Sequence, residues 1–203
     1  MSIENIDFFG KSVYNIIEGS VIEMKIQKEI LDEILQNWEQ NLRGYSLPLW
    51  EQLPTIDLYM EQVTALISQY LGIYSEKPVT PSMINNYVKL KIIPAPQKKK
   101  YSRQHIAYLI IVCTLKQTLD MATIQKLIPA DLDEAQVRET YNSFARNQKK
   151  AFLYATEKVS EVSKPLIENE GDNENRLNDL IMQISASANT FKMLAEKIAK
   201  ASE

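Results

Sequence analysis

The sequence predicts a mainly helical, all-α protein. Three observations carry that expectation. The chain has five glycines in 203 residues, too few for the tight hairpins of a many-stranded sheet or for a glycine-rich phosphate loop. Apolar residues recur at three- and four-residue spacing over most of its length, the period of a helix with one buried face. Serine, threonine or aspartate stands just ahead of several of these runs, where a helix needs a side chain to accept its first free N–H groups. With 45% apolar and 24% charged residues, the balance is that of an ordinary folded chain. The length suits one domain or two small ones.

Taken in order, residues 1–19 give mixed signals. Ser20-Val21-Ile22-Glu23 reads as a capping box, in which the serine accepts from the third residue on and the glutamate reaches back. It opens a helix with Ile26, Ile30, Leu31, Ile34, Leu35, Trp38 and Leu42 in helical register, ended by Gly44. Residues 45–54 hold Pro48 and Pro54 and read as an extended apolar linker on the core. A second helix is expected from about Ile56 to Leu71, with Met60, Val63, Ile67 and Tyr70 inward and Gly72 at its C-terminal cap. Thr80 then caps a short helix with Pro81 at its first position, where the missing N–H costs nothing. Pro94 and Pro96 are expected to stop it. Ile84, Tyr87, Val88 and Leu90 form its apolar side, and Ser82, Asn85, Asn86 and Lys89 face out.

After a basic excursion at 97–101, Ser102 caps a helix running to about Thr118, with Ile106, Leu109, Ile110, Cys113 and Leu115 inward. Asp120 caps a further short helix, Met121 to Ile128. Two long helices follow. The first covers about 133–163 and carries Val137, Tyr141, Phe144, Phe152, Ala155, Val159 and Val162. Beyond a polar break at 168–175, Leu177, Ile181, Ile184, Ala188, Phe191, Ala195 and Ile198 alternate in steps of four and three. That is a heptad seam, used either for an intramolecular hairpin or for a homodimer.

Charge is distributed unevenly. The net charge is −3, but residues 77–126 carry nine lysines and arginines against Asp120 alone, a local net of +8. The flanks, 1–76 and 127–203, are net −8 and −3. One basic module between acidic flanks is the footprint expected of a nucleic-acid site, with a solvated cluster of lysines as the plainer alternative. A capped short helix with an uncharged polar face, then a basic turn, then a longer core helix is the arrangement of a recognition helix with a minimal wing. Outward Ser and Asn side chains can enter the major groove, where Asn pairs two-fold with adenine, while lysines meet phosphates. The candidate DNA-binding residues are therefore Thr80, Ser82, Asn85, Asn86, Lys89, Lys98, Lys99, Lys100, Tyr101 and Arg103.

The segment Val79-Thr80-Pro81…Ile84…Tyr87…Ile92-Ile93-Pro94, followed by Tyr101-Ser102 and closed by Ile124-Lys126-Leu127, resembles the winged helix-turn-helix of the mercury-resistance-type (MerR) regulators. Asn85 stands where those regulators usually have arginine, and Lys91 where they have glycine. Their metal-binding cysteines are absent, so metal sensing is not implied. From Leu47 to Ile128, including Leu53–Met60 and Lys100–Leu109, the chain is similar to a Gram-positive bacterial family described only as a domain of unknown function (DUF1836). The implied organisation is a helix and linker at 1–54, a winged helix-turn-helix at 55–128, and a helical hairpin at 129–203 that serves as dimerisation or ligand region. Tyr141, Phe144, Phe152 and Phe191 are the aromatics around which an effector pocket would form.

Other chemistries find little support. One cysteine and one histidine, Cys113 and His105, exclude an internal disulfide and a Cys- or His-rich metal centre. Neither belongs to a catalytic arrangement; each reads as a packing residue. Asp131 and Asp133 suit the positive end of a helix dipole. No enzyme activity, cofactor or metal is expected. The N-terminal residues lack the pattern of a signal peptide, and the longest apolar run, Ile106–Val112, is too short to span a bilayer. The expected location is cytoplasmic, and the expected partner is double-stranded DNA. The competing reading is a non-enzymatic protein-interaction adaptor that keeps the helix-turn-helix without reading DNA.

Overall fold

A computed structural model describes residues 28–74, 77–168 and 173–201. Its α-helices are α1 (Lys28–Gly44), α2 (Met60–Leu71), α3 (Pro81–Lys89), α4 (Arg103–Leu115), α5 (Met121–Leu127), α6 (Glu134–Glu168) and α7 (Asn173–Ala201). Two short strands, β1 (Leu58–Tyr59) and β2 (Lys100–Tyr101), pair antiparallel, with Leu58 opposite Tyr101 and Tyr59 opposite Lys100. The mainly helical class is therefore observed.

Helix α4 is the centre of the fold. His105 to Thr114 are all buried, more than the single inward stripe expected. A helix apolar all round is stable only when surrounded, and α2, α6 and β2 pack around it. It ends at Leu115 rather than near Thr118, because residues 116–119 turn away. Its N-terminus holds the lone histidine. His105 Nδ1 accepts the Ser102 backbone N–H at 3.0 Å, and its Nε2 meets the Ala95 carbonyl at 3.4 Å. The residue is 6% exposed and acts as the third-position partner of a capping box.

The start of the second helix is corrected. Residues 58–59 are a strand, and α2 begins at Met60, where the Gln62 side chain accepts the Tyr59 N–H at 3.0 Å. Its inward residues Val63, Ile67 and Leu71 are buried as the period requires. Gly72 caps it in right-handed geometry, φ −55°, so its freedom to turn left-handed is not used. The 45–54 linker lies on the core, burying Leu47, Trp50 and Leu53; a 3-10 turn spans Trp50–Gln52. It is fastened to α6, where Asn142 Oδ1 accepts the Trp50 N–H at 2.8 Å and the Tyr141 hydroxyl donates to Pro48 O at 2.7 Å.

The expected capping box at Ser20–Glu23 and the position Ile26 lie outside the described residues. The described part of α1 packs along α6, burying Leu42 but leaving Ile30 and Ile34 largely exposed. Reciprocal bonds between Asp133 and Gln136 open α6. The helix continues through Pro165 to Glu168, past its expected end. So close to the C-terminus a proline removes a single bond of the last turn. Helix α7 folds back on α6 and buries Leu177 and Leu180. The rest of its seam, Ile181, Ile184, Phe191 and Ile198, stays largely exposed.

Candidate nucleic-acid interface

Residue spacing alone gathers the outward face of α3. At 100° per residue, Ser82, Asn85, Asn86 and Lys89 fall on one side of the helix, and all four are exposed. The opposite side buries Ile84 and Tyr87 against the core. Thr80 Oγ1 accepts the Met83 N–H at 3.3 Å and Pro81 occupies the first turn, as the sequence predicts. Thr80 is exposed but has its hydroxyl committed to the cap. The first turn carries no acid, and Lys89 stands in the last.

The end of α3 differs from expectation. Leu90 is not part of the apolar side; it is the C-cap and is 48% exposed. Nor do the prolines stop the helix. Lys91 turns left-handed at φ 55°, its N–H bonds Val88 O at 3.0 Å, and the Ile92 N–H bonds Tyr87 O at 2.9 Å. This pair of bonds is the Schellman motif, with Lys91 in the position glycine favours. Ile92 and Tyr87 are both buried, completing the apolar contact that accompanies it. Gln125 Nε2 donates to Lys91 O at 3.2 Å and ties the turn to α5.

The basic excursion is a tight turn. The Lys100 N–H bonds Gln97 O at 2.9 Å, and the two residues form a bridge. Lys98 and Lys99 between them have φ 50° and 62°, the doubly left-handed signature of a type I′ turn that usually selects Asn-Gly. All three non-glycine residues with positive φ in the described chain are thus lysines of one segment. Each such residue costs about 1–2 kcal/mol relative to glycine. Among the described residues, no carboxylate pairs with Lys89, Lys91, Lys98 or Lys99.

The remaining candidates divide. Lys100 is half-exposed, with its ammonium 5.2 Å from the Tyr59 ring centroid. Arg103 is braced from below: Nε bonds Pro54 O at 3.3 Å and the guanidinium lies 5.6 Å from the Trp50 ring. Tyr101 is corrected. Strand alternation turns its ring into the core, where it is 3% exposed and meets His105 edge-on at 5.5 Å, so its side chain is closed to a ligand. Burial raises its phenol above the ordinary range. Two residues outside the candidate set also bear on this surface: Tyr59, opposite Lys100 on β1, and Lys116, at the C-terminal end of α4. Lys116 lies 5.8 Å from the buried Tyr87 ring of α3. Nothing in the linear pattern pairs either with its partner, since both contacts cross between elements.

The four aromatics of the expected effector pocket have different surroundings in the described residues. Tyr141 is fully buried and bonded to Pro48, and Phe144 packs on the core. Phe152 sits against Tyr45 and Tyr74, and Phe191 is 58% exposed beside Tyr154. A groove of about 230 Å³ opens between α1 and α6, lined by Trp38, Asp32, Glu39, Val159 and Ser163 among others. Cys113 is buried, and burial pushes its thiol up to about 11, where it is unreactive. Among the described residues no helix is long and apolar enough to cross a membrane.

Residues 48–144 match the model of a family described as a domain of unknown function (DUF1836). The match covers just under half of the chain and coincides with the continuous core, which runs from Leu47 to Ala145. It supports that family for the central segment; its description assigns no activity. No curated protein and no solved structure matches the chain.

Proposed function

We propose that this chain is a DNA-binding transcriptional regulator that offers α3 to the major groove and the 97–100 turn to the flanking backbone. The observation that carries the reading is the set of exposed lysines, Lys89, Lys91, Lys98 and Lys99, that have no carboxylate partner among the described residues, two of them held at the tip of a turn in a conformation lysine disfavours. Backbone strain of this kind clusters at functional sites, and an array of exposed cations displaces counterions from phosphates. Asn85 and Asn86 supply the hydrogen-bonding edges that specify bases, with Ser82 and Lys89 beside them. The arrangement follows the mercury-resistance-type regulators that residues 79–103 resemble, without their metal site. The exposed seam of α7 pairs two copies, since one half-site rarely provides enough specificity.

The test is anisotropy binding to pooled genomic duplex fragments at two salt concentrations, beside a variant with Lys98, Lys99 and Lys100 changed to alanine. The regulator reading expects selective enrichment of fragments by the wild type. It also expects the log–log salt slope of the variant to be shallower by roughly two to three. Absence of salt-dependent binding by the wild type rejects it. The surviving reading is then a protein-interaction adaptor, favoured by the exposed apolar stripe of α7.

A further inference from the structure

We infer that Tyr59 is part of the DNA contact, its ring lying against a deoxyribose of the strand whose phosphates Lys98, Lys99 and Lys100 hold. The inference rests on the DNA-binding reading above and extends it to a residue outside the basic segment. Strand β1 alternates cleanly: Leu58 is buried and Tyr59 is 55% exposed. On β2, opposite, Tyr101 is buried and Lys100 points outward. Tyr59 and Lys100 are therefore direct cross-strand neighbours on the outer face, the geometry in which side chains of a sheet interact most strongly.

The backbone of Tyr59 is pinned on both sides. It ends the ladder with Lys100 and caps α2, with Gln62 accepting its N–H. The Lys100 ammonium lies 5.2 Å from the centroid of its ring. Among the described residues its hydroxyl has no hydrogen-bond partner. A rigidly mounted aromatic surface, wet on its outer side and set at the foot of a lysine turn, alternates apolar and cationic chemistry over a short distance. A nucleic-acid strand alternates an apolar sugar face with anionic phosphate oxygens in the same way. An acidic peptide would satisfy the lysines but offers the ring nothing regular.

Tyr154 supplies an internal reference. It is 51% exposed on α6, and its ring partner is Phe191 of α7. Tyrosine nitration of the wild-type protein, read by mass spectrometry, should slow at Tyr59 when duplex DNA is added and stay unchanged at Tyr154. Polyglutamate of matched charge should leave both rates unchanged. In anisotropy, Tyr59→Ala should bind about tenfold more weakly with the wild-type salt slope, because an apolar contact releases no counterion. Tyr59→Phe should bind as wild type, and both variants are checked for an unchanged thermal melt. Equal nitration with and without DNA overturns the inference, as does equal protection by polyglutamate. A folded Tyr59→Ala variant binding as wild type while the triple-lysine variant loses affinity also overturns it, leaving the DNA reading intact. Absence of salt-dependent binding by the wild type removes both.

Discussion

Lys98 and Lys99 set a local conflict between fold and charge. Glycine would relieve the left-handed backbone at either position, so Lys98→Gly and Lys99→Gly should each raise the melting temperature by about 2–4 °C. The same changes should weaken DNA binding and flatten its salt dependence, and a gain in stability without that loss would argue that the turn serves no anion. His105 sets a second conflict, with pH. Its cap requires an unprotonated Nδ1, since that atom accepts from Ser102, and burial holds its folded-state pKa below 6.5. A depressed histidine contributes stability that is whole above the unfolded value and declines as pH falls through the folded one. Chemical denaturation should therefore show stability falling in mild acid below about 6.5. His105→Gln keeps an acceptor at the third position of the capping box and should remove that decline. Both features were only half legible in the sequence. The residue types were visible, but the conformation of Lys98 and the burial of His105 depend on neighbours distant along the chain.

Helix α7 shows how far periodicity reaches. Its heptad register was readable residue by residue, yet the pattern is equally good for a hairpin and for a dimer. In the folded chain the start of the seam meets α6 and the remainder is exposed. A second copy of that stripe would bury it, and the 203-residue chain is expected to sediment as a dimer. Ile184→Glu with Phe191→Glu should shift it to monomer at micromolar concentration, with far-ultraviolet dichroism retained. A wild-type monomer would dismiss the pairing. Helix α3 was the most legible element, because Thr80, Pro81 and its two faces are encoded within ten residues. Strand β1 was not, since two residues too few to show a period were absorbed into the helix that follows them.

The core does not stop where the expected division at residue 128 falls. Val137, Tyr141 and Ala145 of α6 belong to the same buried cluster as Ile84 of α3 and Ile106 of α4. Tyr141 also anchors the 45–54 linker through Pro48. Removing its ring should destabilise the whole central body: Tyr141→Ala is expected to cost about 3–5 kcal/mol in urea denaturation. Tyr141→Phe should cost about 1 kcal/mol, the net worth of one hydrogen bond. DNA affinity of the surviving folded fraction should not change, because the residue lies far inside. A Tyr141→Ala chain as stable as wild type would mean that α6 is separate from the body it packs on.

Composition, period and capping residues by themselves determined the helical class, the face of α3 that looks outward, and the concentration of positive charge in its neighbourhood. These are properties of short windows, where one residue every 100° or one accepting side chain at a helix start is sufficient. Tertiary structure alone decided that Tyr101 turns inward while Tyr59 stays out, that Arg103 is braced by Trp50, and that Lys91 rather than Pro94 ends α3. It also decided which partners the aromatic residues of the C-terminal half take, Phe152 meeting Tyr45 and Tyr74 while Phe191 meets Tyr154. Each of these depends on which surfaces meet across the fold, and burial is a property of the meeting, not of the residue.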